Sequence, residues 1–92
     1  MNELLSNLDN LHTTNLGVVR IKRNLCLDEQ TDVVQYCKER INNPNTTIER
    51  IGKNFYATTC KEVITVNASK LSIITAHKAK NNGGYGNEYK EI

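Results

Sequence analysis

The sequence predicts an α+β domain in which three N-terminal helices pack on a four-stranded antiparallel meander sheet. Three observations predict it. Apolar residues recur at three- and four-residue spacing as far as Ile41. After Pro44 that spacing gives way to β-branched and aromatic runs. Short polar breaks with turn chemistry separate those runs, so helices come first and strands follow.

Leu4, Leu5, Leu8 and Leu11 form one apolar stripe, which predicts a short amphipathic helix over residues 2–11. A second helical pattern runs from Asn15 to Leu27, with Val18, Ile21 and Leu25 on one side and Arg20 and Arg23 on another. Gly17 weakens that helix by roughly 1 kcal/mol relative to Ala. The third helix is predicted from Thr31 to Ile41. Thr31 is its expected cap, Asp32 suits its positive end, and Val33, Val34, Cys37 and Ile41 make its buried stripe. The run "NNPN" at residues 42–45 stops it.

"TTIERI" and "NFYATT" flank Gly52 and Lys53 as a hairpin, and "VITVN" and "LSIITAHK" flank "ASK" as another. Strict alternation in the last strand places Leu71, Ile73, Thr75 and His77 on one face and Ser72, Ile74, Ala76 and Lys78 on the other. Thr75 and His77 then stand side by side, about 7 Å apart. The strand is expected to be covered on both faces at its start and to open toward solvent at His77.

A chain of 92 residues holds one domain and one core, expected over residues 1–80, with residues 81–92 as a mobile Gly- and Asn-rich tail. Tyr85 and Tyr89 in that tail are candidates for docking on a partner. One Phe and no Trp leave burial to Leu, Ile and Val. Lys and Arg exceed Asp and Glu by 12 to 10, a weak bias toward anionic partners and far from the charge of a non-specific nucleic-acid coat. The first residues carry no basic leader, and no apolar run approaches the ~18 residues of a membrane span. The expectation is a cytoplasmic protein without a membrane partner. Cys26, Cys37 and Cys60 are odd in number and form no C-x-x-C pair, which argues against a disulfide framework or a zinc knuckle. They are expected as buried thiols, with no metal and no cofactor.

The segment "NLHTTNLGVVRIKRN", residues 10–24, carries the most chemistry. With Thr13 or Thr14 capping the second helix, its free N–H groups and positive end favour an anion, and His12 sits at the rim. Arg20 flanks the same place from almost two turns along, and Lys53 and Lys78 add charge. Two histidines, an arginine and hydroxyls, without clustered carboxylates or metal-ligand spacing, suit metal-free phosphodiester chemistry on RNA. His12 and His77 divide the acid and base roles, Arg20 binds the phosphate and Thr75 orients it. Thr13, Thr14, Lys53, Thr75 and Lys78 complete the phosphate-binding set. The same groups also suit binding a nucleotide without cutting it. Simpler roles stand beside these: His12 and Thr13 as a helix-to-helix turn, Arg20, Lys22 and Arg23 as a solvated face, His77 as surface. Tyr36 and Tyr56 are expected at the core boundary with their hydroxyls in water.

Over residues 11–80 the chain resembles a family of short bacterial and phage proteins described only as a domain of unknown function. "LHTTNLGVVRIKRNL", "DVVQYCKERI", "GKNFYAT" and "ITVNASKLSIITAHK" carry that resemblance. More distantly, His12, Leu16, Arg20 and "IITAH" resemble a pattern in the barnase-, colicin- and RelE-like ribonuclease toxin superfamily, especially its bacterial members similar to RNase A. That resemblance implies a toxin-like, metal-independent ribonuclease. The chain departs from it in its short length, its few aromatics and a histidine after "TA" where several members carry an aromatic. A non-enzymatic phage or mobile-element protein that sequesters a nucleotide signal or inhibits a host protein is the alternative. Short domains with a limited aliphatic core often gain stability as dimers, so a homodimer is a further alternative.

Overall fold

The structure, a computed structural model, describes residues 3–79; the expected tail at 81–92, with Tyr85 and Tyr89, lies outside the described residues. Helix α1 (Glu3–Ser6) and a 3-10 turn (Leu8–Asn10) lead into α2 (Asn15–Leu25) and α3 (Val33–Ile41), followed by β1 (Thr47–Ile51), β2 (Asn54–Thr58), β3 (Glu62–Asn67) and β4 (Ile73–Lys78). The sheet is antiparallel in the order β1-β2-β3-β4, so the α+β layout stands.

The single helix expected over 2–11 is broken. Asn7 donates its side-chain amide to the Glu3 carbonyl at 2.9 Å, and Asn10 donates to Asn7 at 3.3 Å. Such local bonds compete with helical ones, and the chain tightens so that Leu11 N–H donates to Leu8. Leu4 and Leu11 still reach the core while Leu5 is exposed.

Helix α2 starts at Thr14, whose hydroxyl oxygen accepts from Gly17 N–H at 3.0 Å. It ends two residues before the expected Leu27. Cys26 adopts φ 56°, and the N–H groups of Cys26 and Leu27 close back on Arg23 and Lys22. For α3 the cap is Asp32 rather than Thr31, its carboxylate accepting from Gln35 N–H at 3.1 Å. Of the expected stripes, Ile21 and Leu25 from α2 and Val33, Cys37 and Ile41 from α3 are buried, while Val18 and Val34 are only partly buried at the edge of the core.

The two-residue turn at Gly52 and Lys53, with Gly52 at φ 60°, sets the register of the first hairpin, Ile51 opposite Asn54. The strict alternation expected in the last strand does not hold. Val66 pairs with Ile73 and Thr65 with Thr75, so Ile74 is an extra residue with no partner in β3. Ile73 and Ala76 therefore both turn inward and are fully buried, whereas Thr75 and His77 share the outer face with Thr65 and Val63. The inner face also carries Phe55, Ala57, Ile64 and Val66, and the helices close over it.

Among the described residues one charged group, Glu62, lies in that interior. Glu62 accepts hydrogen bonds from the hydroxyls of Tyr36 and Thr59, and Arg40 Nε stands 3.5 Å from its carboxylate. The Tyr36 hydroxyl is thus bonded to Glu62 rather than pointing into water. Arg40 stacks over the Tyr36 ring at 4.4 Å. Burial and the neighbouring carboxylate raise the Tyr36 hydroxyl above its ordinary value. Of the three cysteines only Cys37 is buried; Cys26 sits on the helix cap and Cys60 in the turn between β2 and β3, and both are exposed. Burial, reinforced by the Glu62 charge, pushes the Cys37 thiol up to about 12.

Candidate functional site

Strand β4 lies at one edge of the sheet, and residues 11–24 cover that edge. His12 N–H donates to the Leu71 carbonyl at 3.3 Å and Ile73 N–H donates to the His12 carbonyl at 2.8 Å, a parallel bridge centred on Ser72. Thr13 donates its hydroxyl proton to the Ile73 carbonyl at 2.7 Å. Further along, Asn24 donates its amide to the Ala76 carbonyl at 3.3 Å and stands 3.5 Å from the Thr75 hydroxyl. These bonds satisfy carbonyls that an edge strand otherwise offers to any passing chain.

Gly17 makes the approach possible. It is buried in α2, and a Cβ built on it falls well inside van der Waals contact of Thr13 Oγ1. A side chain there must push Thr13 off the Ile73 carbonyl. Gly17→Ala is therefore expected to destabilise the protein by about 1–2 kcal/mol despite the better helix propensity of Ala. In a Thr13→Ala background, where the obstructing oxygen is gone, the same change is expected to be neutral or stabilising. A urea-unfolding double-mutant cycle measures that coupling.

Leu16, Arg20 and Asn24 are four apart and share one stripe of α2. Because Asn24 reaches the edge of β4, Arg20 one turn earlier faces the same seam. Arg20 is exposed, and among the described residues it makes no ion pair. Thr75 and His77 flank the seam on the outer face of the sheet, with Ile74 partly exposed between Thr75 and the start of the strand. Asn24 thus meets the β4 edge directly, with Arg20 one turn before it on α2 and Thr75 and His77 on the outer face of the strand; this strip is the candidate rim. His77 is exposed and its Nδ1 lies 3.2 Å from the Lys78 carbonyl.

The remaining candidates lie toward the two ends of that rim. His12, Thr13 and Thr14 sit where β4 begins. Lys53 is on the hairpin turn at the same end, its carbonyl accepting from Ala68 N–H at 2.8 Å. Thr13 has committed its hydroxyl proton to Ile73, whereas Thr14, an acceptor in its cap bond, retains its own. Lys78 pairs with Glu62 at the far end. His12 bridges Ser72, five residues before His77, and strand rise over that interval separates the two positions by about 15 Å. The rim is accordingly a strip of hydrogen-bonding and cationic groups and not a single pocket closed between two imidazoles.

Asn24 was not among the residues the sequence singles out, although its spacing of four from Arg20 is legible. Among the described residues no group of three or more His, Cys, Asp or Glu side chains gathers in a geometry that holds a metal, and no helix is long and apolar enough to cross a membrane.

A family model described as protein of unknown function (DUF3781) matches residues 5–77, from α1 through His77 and so across the whole seam. No curated protein and no solved structure gives a significant match.

Proposed function

We propose that this chain, which belongs to the DUF3781 family, is a small RNA- or nucleotide-binding protein that holds phosphate groups along the seam between α2 and β4. The observation that carries the proposal is the Asn24 bond to Ala76 and Thr75, which brings to the β4 edge the stripe of α2 that also holds Arg20, next to a strand whose outer face carries Thr75 and His77. Cation, amide, hydroxyl and imidazole groups follow one another there, the mixture that contacts phosphate and sugar in nucleic-acid complexes. A strip of about 15 Å suits a short single strand better than one isolated phosphate.

Cleavage is the finer form of the same proposal. His12, Leu16, Arg20 and "IITAH" support it through their likeness to ribonuclease toxins, and sequestration of a nucleotide is its non-catalytic counterpart. The separation of His12 and His77 favours holding over cutting. One phosphate bridged by both imidazoles needs them within about 8 Å. In a cutting version His77 would act beside Arg20, with a second proton donor other than His12.

Fluorescence anisotropy with a labelled single-stranded RNA tests binding. Saturable binding is expected at low salt, with log K falling linearly against log salt. Arg20→Gln is expected to weaken it roughly tenfold and to reduce the salt slope by about one. Equal affinity in the variant and the parent would contradict the proposal. The same RNA incubated in EDTA, with His77→Ala alongside, separates cutting from holding.

A further inference from the structure

On the far side of β3 from the seam, a cleft of about 480 Å³ opens between the link joining α3 to β1 and the turn joining β2 to β3. We infer that it is a binding site for a small polar oxyanion, a phosphate monoester or a carboxylate, gripped by Arg40 and Lys61. The inference does not rest on the seam or on RNA binding.

The cleft is built on a rigid floor. Glu62, with its side chain 9% exposed, anchors Arg40 through Nε and accepts from Tyr36 and Thr59 on its two oxygens. Arg40 is also stacked on the Tyr36 ring. Its guanidinium is held by Glu62 and by a hydrogen bond to Tyr36 before any ligand arrives, and the side chain, still 43% exposed, keeps donors for a further partner. A fixed Arg fork loses little conformational freedom when it binds, and its two parallel donors match the oxygens of carboxylate or phosphate.

The walls carry amide, hydroxyl and cationic groups on a lining that also exposes carbon. Asn45 N–H donates to Asn43 Oδ1 at 2.8 Å, Thr46 N–H to the Asn43 carbonyl at 3.0 Å, and Thr46 Oγ1 to the Arg40 carbonyl at 2.6 Å. These bonds wind the link around Pro44 and hold the Asn43 side chain in place, with Asn45 beside it in the lining. Across the opening stands Lys61, exposed and, among the described residues, in no ion pair. Arg40 and Lys61 together outweigh the one carboxylate, so the cleft carries a net positive charge. Among the described residues no aromatic ring and no aliphatic side chain lines it; Cys60 is its least polar member. With no ring to stack a base, the two cations and the amides favour a small anion.

Amide chemical shifts of the ¹⁵N-labelled protein test the site, with sodium phosphate and sodium acetate titrated separately at constant ionic strength. Saturable shifts at Asn43, Asn45, Thr46 and Lys61 are expected with at least one of the two. Saturation by phosphate alone assigns the natural ligand to phosphate monoesters, by acetate alone to carboxylates, and by both to oxyanions in general. Lys61→Gln, an exposed change that leaves the fold intact, is expected to weaken binding at least threefold without moving the thermal midpoint. Arg40→Gln is expected to abolish it. Shifts that stay linear with concentration, or that Lys61→Gln leaves unchanged, would overturn the inference. Arg20→Gln should leave these shifts as they are, so failure here and failure of RNA binding at the seam are separate results.

Discussion

Truncating Ile64 to alanine is expected to lower the unfolding free energy by about 3–5 kcal/mol, the upper part of the range for buried Ile. Ile64 is fully buried at the centre of β3, and its partners across the sheet are Ala57 on one side and Ala76 on the other. Both neighbours are already small and fully buried. Neither has a side chain long enough to swing into the space that Ile64 leaves, and a cavity that cannot collapse costs both the lost burial and the lost contacts. A chain of this length is stable by roughly 5–14 kcal/mol, so the loss is a large share of the whole. Urea unfolding checks it. The midpoint should fall with an unchanged slope, and a loss below about 1 kcal/mol would mean that the core is not organised around this row.

The second large effect is loss of stability in alkali. The Cys37 thiol, ordinarily at 9.0, is pushed to about 12 by burial and by the charge of Glu62. The folded state thus holds its proton more tightly than the unfolded chain does. The associated stability is fully present below pH 9 and is lost as pH rises from there through about 12. Integrated over that interval the loss approaches roughly 4 kcal/mol. Tyr36, also raised by burial and by Glu62, acts in the same direction above its ordinary 10.0. Unfolding curves at pH 7, 9 and about 11 should show little change over the first step and a steep fall over the second. Cys37→Val removes the thiol without removing its bulk, and should flatten that fall. An equal fall in the variant would show that Cys37 is not the group responsible.

Much of the fold is legible because its signals are local. The stripe Val33, Val34, Cys37 and Ile41 marks α3 from periodicity alone, and Gly52 between two β-branched runs marks the hairpin with its register. The failures have one cause in common, since each depends on residues distant in the chain. Ile74 is β-branched and reads as one more member of an alternating strand. It is extra only because Ile73 is pinned by His12 and Thr13, some sixty positions earlier. Glu62 reads as a polar residue beside a turn, and its burial follows from Tyr36 and Arg40 on a helix that no local pattern pairs with it. Cys26 lies close to the apolar stripe of α2, yet the chain turns left-handed there and leaves it outside.

The candidate site divides in the same way. The cap at Thr14 and the placement of Thr75 and His77 on a common face follow from helix and strand rules. Two further features are set by the bridge between His12 and Ser72. One is the distance between the histidines. The other is the role of Asn24 in drawing Arg20 to the β4 edge. Gly17 is the trace these contacts leave in the sequence, because a glycine inside a helix costs stability unless another backbone or side chain must come close.

The most direct test of the seam as the binding surface is amide-shift mapping of the ¹⁵N-labelled protein titrated with a short single-stranded RNA. Progressive shifts confined to Leu16, Arg20, Asn24, Thr75, His77 and their immediate neighbours are the expected result. Unmoved signals at those residues, or shifts gathered instead on the outer sheet face around Tyr56, would contradict it.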